Sequence, residues 1–307
     1  MTGKVIRAEQ LTKVYKGDLG RKPITALDDL DLDVVEGETY AFLGPNGAGK
    51  TTAIKLLTRL LHPTHGRIWI FDRPNTDPKS MASVGYLPEQ PNLYAYLTGI
   101  EFLQFIARLF KLDARTRKQR IADLLERVGL HDQGNRLIKT YSRGMLQRLG
   151  MAQALVNDPQ LLILDEPMSA LDPIGRKELR DLILELKRRG KTVFFSSHIL
   201  SDAEIVADRV AILKGGRLIS SGKLDQLVGS QAASIEVTFA VAADQAPLSE
   251  WGIDGAVVQG RNAMVRLARE EDLPGLLRKV DERRGKLVSV IPVKKSLEDL
   301  FLSEIGR

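Results

Sequence analysis

Gly44-Pro45-Asn46-Gly47-Ala48-Gly49-Lys50-Thr51 sits between two runs of different periodicity. Before it, residues 39–43 form a short apolar run of strand character. After it, Ile54, Leu57 and Leu61 recur at helical spacing until His62 and Pro63 stop the pattern. The chain therefore runs strand, glycine-rich turn, helix, and the octapeptide fits G-x-x-x-x-G-K-[ST]. In that setting each residue type has a chemical purpose. The glycines let backbone N–H groups turn inward, and the helix N-terminus adds partial positive charge, so residues 44–51 make a cradle for phosphate groups. Lys50 reaches the β and γ oxygens, the Thr51 hydroxyl suits Mg²⁺, and Thr52 belongs to the same phosphate-binding set. Taken alone, the loop implies a bound nucleoside triphosphate, a property shared by kinases, GTPases, helicases and transport ATPases.

Further along, Leu161-Leu162-Ile163-Leu164 is a short strand of the buried type that delivers Asp165 and Glu166 at its end, 115 residues after Lys50. Neighbouring residues on a strand point to opposite faces, so these two acids need different partners. Around these landmarks the chain alternates strands (5–11, 28–34, 192–197, and a hairpin over 209–221) with helices (100–130, 142–156, 174–189). A basic insert, KGDLGRKP, separates the first two strands. The pattern predicts an α/β core interrupted by a helical subdomain at about 91–158. Residues 228–234, VGSQAAS, read as a linker. Beyond it, strands at 235–239, 256–259, 264–267 and 287–291, with helices at 271–284 and from Ser296, predict a small α+β accessory domain. The expected division is 1–224 and 225–307.

At Asp165-Glu166 the sequence resembles the ATP-binding cassette (ABC) ATPases, and the match continues in order. Gln90 in GYLPEQ stands where that family has its glutamine loop, and YSRGMLQR at 141–148 stands at its signature motif. Ser169-Ala170-Leu171-Asp172 resembles the dimer-contact loop, and His198 resembles the switch histidine. The resemblance covers the first 224 residues and implies a P-loop ABC ATPase core. It implies that Asp165, Thr51 and Gln90 hold Mg²⁺, that Glu166 is the general base, and that Gln90 and His198 act beside it at the γ-phosphate. Across a dimer, Ser142, Arg143 and Gly144, with Asp172, would complete the ATP site of the second chain. Tyr15 resembles the aromatic that stacks on adenine; the alternative is an ordinary strand tyrosine. The signature departs from L-S-G-G-Q at Tyr141, Arg143 and Met145. With Ser142 and Gly144 kept, the site is expected to work, with nucleotide-driven dimerisation altered by Arg143.

Composition bounds the remaining possibilities. The 307 residues are 43% hydrophobic and 27% charged, which is globular usage, and no apolar run approaches the roughly 20 residues of a membrane span. The opening MTGKVIRAEQ has no signal-peptide pattern, so a cytoplasmic chain is expected. Without cysteine, disulfides, thiolate metal sites and cysteine nucleophiles are excluded, and four scattered histidines argue against a zinc centre. The net charge of +6 is local: residues 108–143 hold 10 basic and 4 acidic side chains, whereas 225–307 is net −2. Such a run is either a solvated helix surface or a face for anionic lipid or a partner.

The function expected is that of an ATP-hydrolysing subunit powering a separate multi-span permease, in the export direction. It would work with a second ATP-binding subunit, a homodimer, on the cytoplasmic face of the cell membrane. Tyr94, Tyr96, Phe102 and Phe105 lie where the family docks its permease; the alternative is a subdomain core. No nucleic-acid partner is expected. The competing reading is a soluble ABC ATPase acting on ribosomes or nucleic acid. Such proteins carry two cassettes, a long coiled coil or zinc motifs, and this chain shows one phosphate loop, no long heptad run and no cysteine.

Overall fold

The computed structural model describes residues 3–16, 22–229, 232–240, 253, 255–294 and 296–305. The chain divides into two compact units, Met1–Lys223 and Leu224–Gly306. In the first, β1 (Lys4–Tyr15) and β2 (Ile24–Val35) pair antiparallel; of the basic insert between them, residues 17–21 lie outside the described residues. β3 (Thr39–Leu43) leads through the phosphate loop into α1 (Lys50–Leu57). β4 (His65–Ile70) and β5 (Arg73–Pro74) complete an antiparallel sheet of order β2-β1-β4-β5. Then come β6 (Val84–Leu87), three helices, α2 (Gly99–Leu109), α3 (Ala114–Arg127) and α4 (Arg143–Leu155), and β7 (Leu161–Leu164). The unit closes with α5 (Pro173–Arg188), β8 (Thr192–Ser197), α6 (Leu200–Val206) and the hairpin of β9 (Arg209–Lys214) and β10 (Arg217–Lys223).

The second sheet has the order β10-β9-β3-β8-β7-β6, parallel except for β10. Its central strands TYAFL, LLIL and TVFFSS are buried along their whole length, as expected where both faces of a parallel sheet are covered. Ile54, Leu56 and Leu57 of α1 join buried residues of β1, β2, β3 and β7 in one core. In the same core the Phe194 ring stacks on Tyr40 at 5.8 Å and meets Phe42 at 5.5 Å.

The helical run read over 100–130 is broken in two. Lys111 takes a left-handed backbone (φ 57), and the Asp113 carboxylate then accepts from the N–H groups of Arg115 and Thr116, starting a new helix. α2 opens on a capping box in which Thr98 and Glu101 satisfy one another's backbone N–H groups. Backbone bonds tie the segment before α2 to the approach to α4: Ile138 N–H to Leu97 C=O at 2.9 Å and Lys139 N–H to Ala95 C=O at 3.0 Å. The Tyr141 hydroxyl donates to Gln133 C=O at 2.7 Å. β4, β6 and α6 had no counterpart in the sequence reading; each is short, and the last two have only four and seven residues in which to show a period.

The second unit holds α7 (Leu224–Val228), β11 (Ala232–Ala240), β12 (Val257–Gln259), β13 (Asn262–Leu267), α8 (Leu273–Glu282), β14 (Lys286–Lys294) and α9 (Leu297–Ile305). Its antiparallel sheet, β12-β13-β11-β14, buries Val237, Phe239 and Ala263 against Leu276 and Val280 of α8. The stretch read as a linker, 228–234, already contains the start of β11, with Ser234 paired to Val293; residues 230–231 lie outside the described residues. The α8 helix is shorter than the predicted 271–284 because a 3₁₀ turn, Glu270–Asp272, precedes it.

Phe194→Ala should cost about 3–5 kcal/mol, since the ring is fully buried between two others. The loss is read as a lower urea midpoint at unchanged slope for the unfolding of the first unit.

Candidate active site

The phosphate loop is shaped by contacts that admit only glycine at two of its positions. A Cβ on Gly49, whose φ is +106, would lie 2.4 Å from Ala26 C=O, and one on Gly44 would lie 2.5 Å from Leu213 C=O. With Gly49 as its cap, α1 begins without a side-chain oxygen on its first amides. Lys50 is buried at 6% exposure, and its ammonium donates to Gly44 C=O at 2.6 Å and Pro45 C=O at 3.2 Å. Residues 46–52 of the loop and α1, together with Glu89, Glu166, Ser169 and His198, line a cleft of about 380 Å³. That size lies within the range of small-molecule sites, roughly 300–1,000 Å³.

The two adjacent acids take different partners. Asp165, almost fully buried, accepts from Ser196 Oγ at 2.7 Å and Thr51 Oγ1 at 3.3 Å. Burial pushes its carboxyl above the usual carboxylate range, the Ser196 and Thr51 hydrogen bonds oppose the rise, and the charges of Glu89 and Glu166 add to it. Glu166 has a left-handed backbone (φ 47), with its N–H on Ser196 Oγ at 2.9 Å and its C=O accepting from Ser169 Oγ at 2.9 Å. Its carboxylate lies between Lys50 Nζ at 3.2 Å and His198 Nδ1 at 2.8 Å. Thr51 and Asp165 offer hard oxygens, the donor type of a Mg²⁺ ion that takes one or two carboxylates and leaves the rest to phosphate and water. Among the described residues no group of three or more His, Cys, Asp or Glu converges on a metal position.

Other residues singled out from the sequence lie elsewhere. Gln90 shares a second cavity with Thr51, Asp165 and Glu89, and a third with Arg143 and Ser169, but does not line the loop cleft. Ser142 caps α4, accepting from Met145 N–H at 3.3 Å, and Asp172 caps α5, accepting from Gly175 N–H at 2.9 Å. Neither these two nor Arg143, Gly144 or Tyr15 lines the loop cleft. Tyr15 is partly exposed at the end of β1, with Lys13 Nζ 5.4 Å from its ring centroid. Tyr94, Tyr96 and Phe105 are exposed, whereas Phe102 is 2% exposed and belongs to the subdomain core; the Tyr94 ring touches all three.

Residues 27–169 match the ABC transporter family. Over the full chain, an uncharacterized ABC transporter ATP-binding protein of Nostoc sp. is 43% identical, with 91% of that protein covered. The chain belongs to the ABC transporter ATPases. The bacitracin transport ATP-binding protein BcrA of Bacillus licheniformis is 36% identical over 98% of this chain and 97% of its own. Among solved structures, the dimeric post-hydrolysis state of the ATP-binding cassette MJ0796 bound to ADP and Pi is 28% identical. It covers 71% of this chain and 98% of its own, with a TM-score of 0.66. This ABC ATPase is an ATP-binding subunit with a mixed α/β P-loop core, and among its described residues no helix is long and apolar enough to cross a membrane.

Two residues that the motifs did not single out for a role stand in the cassette's cleft or touch its acids, Glu89 and Ser196; Ser169, expected only in the dimer-contact loop, lines the same cleft and donates to Glu166 C=O. Glu89 precedes Gln90 and is hidden by it in the motif. Ser196 had a legible signal, since it stands two residues before His198 and alternate residues of a strand share a face.

Because the Asp165 carboxyl titrates higher in the fold than in the unfolded chain, the native state binds the extra proton, and ionisation above that point disfavours folding. Asp165→Asn should therefore raise the Tm at neutral pH, and its advantage should shrink as pH falls through the folded value toward the ordinary carboxylate range. Thermal melts across pH check this; a constant gap would contradict it.

Proposed function

We propose that this ABC ATPase powers an exporter, with Glu166 as general base for the water that attacks ATP. The observation that carries this is the Glu166 carboxylate held between Lys50 and His198 at the phosphate cleft. A carboxylate so placed accepts a proton from water while the neighbouring ammonium and imidazole face the transferring phosphoryl group. Lys50 and the amides of residues 44–52 bind the phosphates, His198 bonds the γ-phosphate, and Tyr15 stacks on adenine. Thr51, Asp165 and Gln90 would hold Mg²⁺, which supplies charge neutralisation between the phosphates when bound. Ser142, Arg143, Gly144 and Asp172 serve the site of a second copy; their separation from the cleft of their own chain supports that role, as does the dimeric state named for the cassette MJ0796.

The membrane-spanning part is a separate permease, seated on the exposed aromatics Tyr94, Tyr96 and Phe105. The basic face around Arg108, Lys111, Arg115 and Lys118, all exposed, turns toward it or toward the bilayer on the cytoplasmic side. Export is supported by relatives named for bacitracin and lantibiotic transport. Residues 1–224 form the ATPase domain, with its helical subdomain near 91–158, and 225–307 an accessory domain.

Glu166→Gln should bind ATP, lose turnover by about 10²–10⁴-fold, and collect as an ATP-bound dimer on size-exclusion chromatography; normal turnover would remove the general-base assignment. Purified from detergent-solubilised membranes, the wild-type chain should bring a multi-span protein with it and Tyr96→Glu should not. Equal recovery would count against that face as the docking site.

A further inference from the structure

On the roles proposed above for Asp165 and Glu166, we infer that Ser196 is a positioning residue for both: one hydroxyl of β8 sets the Asp165 side chain and the Glu166 backbone together. Ser196 is fully buried, between Phe195 and the likewise buried Ser197 at the end of β8. An apolar side chain would suit that strand better, so a hydroxyl there calls for a reason. Its two bonds supply one. A backbone N–H only donates, so Ser196 Oγ accepts from Glu166 N–H at 2.9 Å, which leaves its own proton for Asp165 Oδ1 at 2.7 Å.

The register explains why β8 can do this. Phe195 lies beside Leu164, so the next residues along the two parallel strands, Ser196 and Asp165, emerge together. Glu166 then turns into the left-handed region, which side chains rarely adopt, and needs support on both sides of its peptide. Ser196 holds the N–H and Ser169 holds the C=O. From that pinned backbone the carboxylate reaches Lys50 and His198. His198 directly follows the strand that carries Ser196, so the imidazole and the hydroxyl are delivered by one element. Without the hydroxyl, the Asp165 carboxylate keeps only its bond from Thr51, and the Glu166 amide loses its acceptor.

The test uses the full chain with Ser196→Ala, Ser196→Cys and Ser196→Thr. The readouts are kcat and KM for ATP, binding of a fluorescent ATP analogue in chelator, and Mn²⁺ affinity of the nucleotide complex by electron paramagnetic resonance. Alanine and the near-isosteric, weakly bonding cysteine should each lower kcat or Mn²⁺ affinity by about tenfold to a hundredfold. Metal-free nucleotide binding should stay within about twofold, which also certifies the fold, and threonine should restore what alanine loses. The inference falls if the alanine variant keeps both kcat and Mn²⁺ affinity, or if threonine is as impaired as alanine. Glu166→Gln in the same assays separates the two ideas. If it is inactive while Ser196→Ala behaves as wild type, the general-base role survives and the Ser196 role is lost. If it turns over normally while Ser196→Ala still loses Mn²⁺ affinity, the general-base role is lost and the hold on Asp165 stands.

Discussion

Four parallel strands of the first unit end within two residues of one another: Leu43 lies beside Ser197, Phe195 beside Leu164, and Leu164 beside Leu87. Everything in the cleft depends on that alignment. Each strand ends at the same edge of the sheet on a candidate site residue, the phosphate loop after Leu43, Asp165 and Glu166 after Leu164, His198 after Ser197, and Glu89 with Gln90 after Leu87. Ligand sites of open parallel sheets form at this carboxyl edge because the chain leaves it in loops free to vary while the strands stay fixed. A slip of one residue between β7 and β8 would part Ser196 from Asp165 and turn the side chains of one strand to the wrong face.

The electrostatics follow from the burial this arrangement imposes. Lys50, Asp165 and Glu166 are all nearly out of water, where unpaired charge is costly. The chain meets the cost unevenly. Lys50 is surrounded by two loop carbonyls and the Glu166 carboxylate, whereas Asp165 has neutral hydroxyls for partners and like charges nearby. Of these three, Asp165 is the one whose hydrogen-bond partners carry no positive charge, the setting a cation would most improve.

Much of this was legible in the residues themselves. The phosphate loop, the LLIL strand with its two acids, and the strand before His198 have unambiguous periods and spacings. Turns and short elements were harder: β6 and α6 offer too few residues to show a period, and the break between α2 and α3 depends on a left-handed Lys111 and a cap at Asp113 rather than on proline or glycine. In the site, the motif residues of the loop cleft were legible because each is chemically distinctive. Which acid Ser196 and Ser169 touch was not, because a serine near an acid is common and only three-dimensional register decides the contact. Phe102 shows the same limit, since it shares its sequence neighbourhood with the exposed Tyr94 and Tyr96 yet faces inward.

The left-handed backbone of Glu166 has an evolutionary consequence. Glycine or asparagine would sit at that φ with less strain, and a side chain there stores energy that the surrounding serines and His198 must hold in place. In a gene copy under selection for folding alone, position 166 would be free to drift toward those two residues. A lineage that keeps glutamate there is recording, in its backbone, a continuing demand for what that side chain does.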